Sequence, residues 1–288
     1  MNYRASLAIL SLCTLAHAAV AQSPTWSQPQ KPFLVYGDTY YVGTKGLTAV
    51  LITSRDGHVL IDGTVPEGAS IIADNIRALG FRVEDVKLIL NTHVHFDHAG
   101  GIADLQRRSG AQVAASAASA KVLKSGEADS DDPQFGRLPK IATVKDLRVF
   151  KDGESLKVGK LALTAHLTPG HTPGGTSWTW RSCEGERCVS VAYADSLNPI
   201  AAPGYLYTDP ARKPNGVQLL EGSFAVVSAL PCDILLVPHP ELVDLLGKQA
   251  KREQGATSNP FIDGAACRNY VLASRDRLSR RIAEEQKR

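Results

Sequence analysis

From Asn91 the chain reads Asn-Thr-His-Val-His-Phe-Asp-His-Ala-Gly-Gly, directly after the apolar run Leu88-Ile89-Leu90. Four imidazole or carboxylate side chains within six residues, at the end of a buried strand, are costly to bury unless something compensates them. In extended backbone His93, His95 and Asp97 fall on one side, and a turn at Asp97 brings His98 round to join them. The plain alternative is a solvated loop rich in His. At this composition His-x-His-x-Asp-His arises by accident on the order of once in a few thousand chains. The pattern therefore points to a metal centre that the fold must be built around.

Two later histidines extend the set. His171 lies in Leu167-Thr-Pro-Gly-His-Thr-Pro-Gly-Gly175, where Pro and Gly fix the backbone, and His239 lies between two prolines in Leu235-Leu-Val-Pro-His-Pro240. Each alone would read as structural; together they supply the ligands missing from two metal centres. His58 and His166 fall within strand patterns and read as structural.

The rest of the chain places these loops. Phe33 to Asp62 is β-rich and broken by Gly-Asp, Lys-Gly and Asp-Gly turns. Glu67 to Leu79 has helical periodicity with Gly80 as its stop. A short strand over Lys87 to Asn91 is followed by a helix from Ile102 to Arg108 and a strand over Gln112 to Ala115. Residues 125–140 form a long polar loop, of the kind that is functional or disordered in a compact domain. Further strands are expected at Leu161 to Leu167, Thr176 to Arg181, Val189 to Ala194 and Ile234 to Val237. A helix is expected over Gln218 to Leu230, with more helices to the C-terminus. Each half runs strands, then helices, and ends in a strand that delivers His to a loop. That predicts an α/β layered fold of two similar packed sheets with helices outside and no linker between independent domains.

The first residues hold Arg4, a short apolar run from Ala5 to Leu15 and Ala19-Val20-Ala21, the pattern of a secretory signal peptide over residues 1–21. Cleavage would leave residues 22–288 as a single domain and remove Cys13, so that Cys183, Cys188, Cys232 and Cys267 remain. In an exported chain these imply disulfides, with three possible connectivities. A local Cys183–Cys188 bridge across a hairpin-like turn is sterically easy and would leave Cys232 with Cys267. A four-Cys zinc site is disfavoured, because neither pair has C-x₂₋₄-C spacing. The formal charge of +3 over 288 residues, with Lys and Arg dispersed, gives no electrostatic case for nucleic acid. No other apolar stretch approaches membrane-spanning length.

With these motifs the sequence resembles the metallo-β-lactamase superfamily: His-Val-His-Phe-Asp-His, Thr-Pro-Gly-His-Thr, Ala-Asp-Ser and the late Pro-His-Pro occur in its order and approximate spacing. It looks most like subclass B3, on the first motif, on Ser196 where other subclasses have a metal-binding Cys, and on the surroundings of Cys232 and Cys267, which match that subclass's disulfide. The resemblance implies an αββα sandwich with the site at one edge between the sheets. It implies two Zn²⁺ ions, the first on His93, His95 and His171, the second on Asp97, His98 and His239. Ser196 and Asn198 would contact a substrate carboxylate, Asn198 departing from the usual Ser or Thr. Gln134 and Tyr205 are further candidates for substrate contact.

The implied activity is hydrolysis of the β-lactam amide of penicillins, cephalosporins and carbapenems by a zinc-bridging hydroxide, with Asp97 orienting it and carrying the proton. This would be a periplasmic enzyme conferring antibiotic resistance, monomeric by default, with a small-molecule substrate and neither nucleic acid nor membrane as partner. The covalent route lacks its motif, since no Ser-x-x-Lys is present. Within the same superfamily a glyoxalase II-like thioesterase or a lactonase is the rival, because such enzymes usually bridge their metals with an Asp and Asp195 sits near that position. A zinc-storage protein fits less well, since structural zinc sites are closed by four ligands.

Overall fold

The computed structural model describes residues 23–287; the expected export segment, with Cys13 and His17, lies outside the described residues. The first sheet runs in chain order through β1 (Phe33–Tyr36), β2 (Thr39–Tyr41), β3 (Val50–Ile52), β4 (His58–Ile61), β5 (Val86–Leu90), β6 (Gln112–Ala115) and β7 (Leu147–Val149). Its first four strands are antiparallel, and β4 to β7 pair in parallel. The second sheet has the order β12-β11-β10-β9-β8. Its strands are β8 (Ser155–Val158), β9 (Leu161–Leu167), β10 (Thr176–Glu184), β11 (Arg187–Tyr193) and β12 (Ile234–Leu236). Only β11 and β12 pair in parallel there.

Period-two alternation explains the layering. Val50, Ile52, Val59, Ile61, Leu88 and Leu90 point into the space between the sheets, where they meet Trp178, Trp180, Val191, Tyr193, Ile234 and Leu236. The intervening Leu51, Leu60 and Ile89 point to the other face, under α1 (Gly68–Ala78) and α3 (Ile102–Ser109). In the second sheet Ala192 and Leu235 point outward, under α5 (Gly216–Ala229) and α7 (Ala266–Glu285), the helices on either side of α6 (Leu245–Glu253) in the chain. A strand segment buried on both faces reads as a continuous apolar run, which is why Val59-Leu60-Ile61, Leu88-Ile89-Leu90 and β12 do. The result is the αββα sandwich the sequence predicts, with sheets of unequal width.

One helix and two short strands of the layers were not anticipated by pattern. Helix α4 (Ala117–Ser125) is built on small residues, with the Ser116 side chain accepting the Ser119 N–H at its start. Strand β7 is short and largely exposed, and β8 is a four-residue edge strand. The polar stretch expected over 125–140 is an irregular loop extending from Gly126 to Asp146. Among the described residues no helix is long and apolar enough to cross a membrane.

Both disulfides form: Cys183–Cys188 closes the β10–β11 hairpin, and Cys232–Cys267 ties the start of β12 to α7. The second closes a loop of 35 residues, for which loop entropy alone corresponds to about 3–4 kcal/mol. A Cys232→Ser/Cys267→Ser double variant is therefore expected to melt about 10 °C lower in a calorimetric scan. An unchanged melting temperature would show that α7 is held by packing alone.

Candidate metal centre

The parallel strands β5 and β12 end at the same edge of the sandwich, and every expected metal ligand lies in a loop there or arrives next to it. The backbone joins these loops directly. The Thr176 N–H donates to Thr92 O at 2.8 Å, and the Ala194 N–H to Leu236 O at 3.0 Å. The segment after β5 does not continue extended as its pattern suggested. His95 starts a short helix, α2 (Phe96–Ala99), with the His98 and Ala99 N–H groups donating to His95 O at 3.0 and 2.8 Å. Asp97 and His98 thus arrive by a helical turn rather than by strand alternation. Gly101 permits the next close approach, because a Cβ there would stand 2.3 Å from Gly63 O.

His93, His95 and His171 form one cluster, each offering a nitrogen within 4.8 Å of the others. All three are buried. The His93 Nδ1 donates to Asp195 Oδ1 at 2.8 Å, and its buried Nε2 has no hydrogen-bond partner. The His171 Nδ1 donates to Asn198 O at 2.8 Å. Burial and the neighbouring imidazoles hold His93 well below the ordinary histidine range. Burial and His95 likewise push His171 down to about 3. Both rings therefore keep a free lone pair at neutral pH, the form a metal requires.

Asp97, His98 and His239 form a second group beside the first. Asp97 Oδ2 lies 3.1 Å from His98 Nε2 and 3.4 Å from His239 Nε2, and the two imidazole nitrogens are 3.2 Å apart. Burial opposes the Asp97 charge, but His98 and His239 outweigh it and hold the carboxyl well below the usual carboxylate range. Two imidazole nitrogens and an ionised carboxylate oxygen, mutually within 3.4 Å, fit a divalent cation with nitrogen and oxygen ligands. The orphaned His93 Nε2 makes the same point for the first cluster: a buried nitrogen of that kind is a cost unless it has a partner.

Behind the ligands lies a layer of buried polar groups that spacing did not reveal. Asp62, at the end of β4 with φ of 64°, accepts the Thr92 N–H and Thr92 hydroxyl at 2.8 Å each and the Tyr193 hydroxyl at 3.0 Å. It clamps the residue that precedes His93. Asp132, in the long loop, lies 3.0 Å from His95 Nε2. Trp26, in a single 3-10 turn over Pro24–Ser27, reaches the same cleft, its ring 6.1 Å from that of His239.

The cleft above the two groups has a volume of about 270 Å³ and is walled by Trp26, Phe96, Leu138, Pro139 and Ile200. Gln134 lies in this wall, its side-chain amide 3.4 Å from His95 Nδ1. Ser196 is almost fully buried, with Asn198 Nδ2 3.5 Å from its hydroxyl. Asn198 opens instead on an adjoining cavity lined by Arg277, Arg280 and Arg281. Tyr205 is not brought to the metal residues. Its ring packs 5.3 Å from Tyr207 and under the Arg212 guanidinium, facing a neighbouring cavity. His58 and His166 lie in strands away from the site, against Phe81 and Thr179 respectively.

Residues 42–184 match the family model of the metallo-β-lactamase superfamily. The Rm3 metallo-β-lactamase structure superposes with a TM-score of 0.88 at 53% identity, over 91% of this chain and 97% of that one. The chain belongs to the metallo-β-lactamase superfamily. MEM-A1, a subclass B3 metallo-β-lactamase from a soil metagenome library, is 52% identical, with a TM-score of 0.88 over 91% of this chain and 99% of its own. A hydroxyacylglutathione hydrolase of Methylobacterium nodulans is 36% identical over 108 residues, 37% of this chain and 32% of that protein. The chain thus spans about a third of the length of the curated relatives it matches. In this superfamily member the His93, His95 and His171 triad is the metal-binding cluster the fold carries at its sheet edge.

Proposed function

We propose that the chain is an exported zinc β-lactamase that hydrolyses the β-lactam amide of penicillins, cephalosporins and carbapenems. The observation that carries this reading over the thioesterase one is the direction of Asp195. Its Oδ1 is engaged by His93 Nδ1, on the edge of the ring opposite the nitrogen offered to a metal. An Asp engaged there orients a ligand; its other oxygen is buried without a hydrogen-bond partner, and Asp195 belongs to neither group of side chains placed to hold a metal. The full-length similarity to β-lactamases, against a partial match to acylglutathione hydrolases, supports the same choice.

His93, His95 and His171 would hold one zinc, and Asp97, His98 and His239 the other. When bound, the pair would supply Lewis acidity and lower the pKa of a bound water to about 7. The chain's own residues do the rest. Asp97, kept ionised by His98 and His239, takes the proton of the attacking water and returns it to the departing nitrogen. Trp26, Phe96 and Ile200 give the ring system an apolar wall and exclude bulk water. Asn198, open on the adjoining cavity with Ser196 buried behind it, would receive the substrate carboxylate from that side, and the arginines beside Asn198 add positive potential for an anionic substrate.

The test is turnover by the purified mature chain. A chromogenic cephalosporin and a carbapenem should both be hydrolysed, lose turnover in EDTA and regain it on adding zinc. An acylglutathione thioester should be left intact. Two bound zinc ions with no turnover of either β-lactam would overturn the proposal.

A further inference from the structure

Of the three histidines in the first cluster, His95 alone is reversed. His93 and His171 each spend Nδ1 on a fixed acceptor, at 2.8 Å in both cases, and keep Nε2 for the cleft. His95 spends Nε2 on Asp132, 3.0 and 3.2 Å from its two carboxylate oxygens, and keeps Nδ1 on the cleft side beside Gln134. One ring must therefore hold the opposite tautomer from its two neighbours. Something has to select it, because the two neutral tautomers of free imidazole are both accessible and the ring's other bond decides between them.

Asp132 is placed to make that selection. It is 3% exposed, whereas the side chain of the adjacent Asp131 is 77% exposed and faces Arg212. Its own N–H donates to Asp129 O at 3.0 Å, and its Oδ1 accepts the Gln134 N–H at 2.8 Å. The next residue, Pro133, accepts the Ala202 N–H at 2.8 Å, which pins the loop to the segment after β11. The carboxylate is thus fixed by its own loop before it meets His95. That same loop carries Gln134, Leu138 and Pro139 of the cleft wall.

We propose that Asp132 is the positioning residue of His95: it fixes the proton on Nε2, leaves the Nδ1 lone pair for the metal, and by the same hydrogen bond fastens loop 126–146 over the cleft. This rests on the metal-centre reading above and adds a division of labour to it. The ligand and the substrate wall share one anchor, so loss of the carboxylate loosens both.

The experiment uses the zinc-loaded full mature chain, with Asp132→Ala, Asp132→Asn and, as control, Asp131→Asn. Zinc affinity is read by competition with a chromophoric chelator, the His95 ring proton by ¹⁵N-resolved NMR, and the loop by trypsin cleavage after Arg137 and Lys140. Asp132→Ala should weaken zinc binding about 10–100-fold, lose the slowly exchanging Nε2–H signal and be cut in the loop about tenfold faster, as expected when a closing contact is lost. Asp132→Asn, which keeps an acceptor oxygen, should retain the Nε2–H tautomer and recover most of the affinity. Asp131→Asn should match the wild type in all three. The wild-type spectrum is decisive even if Asp132→Ala fails to fold, since a proton on His95 Nδ1 would overturn the proposal. So would Asp132→Ala with zinc affinity within about twofold of wild type, the scatter expected of a surface change. A wild-type chain that binds no zinc would remove the metal-centre reading and this inference together. Zinc bound normally by both wild type and Asp132→Ala removes only the inference.

Discussion

Asp97→Asn is expected to lower β-lactam turnover about 10²–10⁴-fold, the range attached to loss of a positioned proton carrier. The substitution keeps the shape of the side chain and removes its charge. In the native site that charge sits 3.1 and 3.4 Å from two imidazole nitrogens, with the Asp97 side chain only 13% exposed. Those imidazoles keep the carboxyl ionised against the cost of burial, so a group able to accept a proton is always present in the cleft. An amide oxygen is far less basic and cannot take that proton at neutral pH. The variant should be assayed with its metal content measured in the same sample, because Asp97 is also a ligand candidate. Full turnover with two zinc ions per chain would remove Asp97 from proton transfer and leave it as a ligand only. A proportional loss of zinc and turnover would assign the effect to metal binding instead.

How far such a site can be read from sequence depends on which force places each residue. His93, His95, Asp97 and His98 are legible because they crowd into six positions behind an apolar strand, a local pattern with few structural excuses. His171 and His239 are legible because proline and glycine flank them and fix their loops. The two-sheet architecture follows from the continuous apolar runs of β4, β5 and β12, which need cover on both faces. Asp132 is not legible in the same way. It stands next to Asp131 in a polar loop, and nothing local says which of the two turns inward. The pairing of Pro133 with Ala202, far along the chain, settles it. Trp26 precedes the first strand and reaches the cleft because its turn is bound to Gly46, whose N–H donates to Thr25 O at 3.0 Å. Tyr205 lies away from the metal residues for a related reason: its ring packs against Tyr207 and Arg212 and lines a neighbouring cavity. Helix α4 escapes detection because alanine and serine give little periodic signal, although its Ser116 cap is present in the sequence.

The largest expected effect on stability belongs to Trp178, where the sheets meet. Trp178 is fully buried on β10, with its ring 4.9 Å from Phe150 in an edge-on arrangement, and its Nε1–H donates to Asn91 O at 3.2 Å. It therefore does two things at once. Its rings fill the space between sheets, and its one polar atom satisfies the carbonyl two residues before His93. Trp178→Ala should cost about 3–5 kcal/mol, the range for removing a buried aromatic side chain and leaving a cavity. Trp178→Phe keeps one ring and loses the hydrogen bond, and should cost roughly 1–3 kcal/mol for the carbonyl left unpaired. Urea unfolding followed by far-ultraviolet circular dichroism separates the two without depending on the fluorescence of the residue removed. If the Phe variant costs as much as the Ala variant, the hydrogen bond to Asn91 is the dominant contact and the sandwich is held at its site edge. If Trp178→Ala costs under about 1 kcal/mol, the neighbouring side chains close the gap, since the cost of such a change depends on how far the site collapses. The expected order, Ala well above Phe, places the main stabilisation in packing. The strand ends that carry His93 and His239 are then held in register by apolar contact between the sheets, and the polar groups behind the ligands set only their orientation.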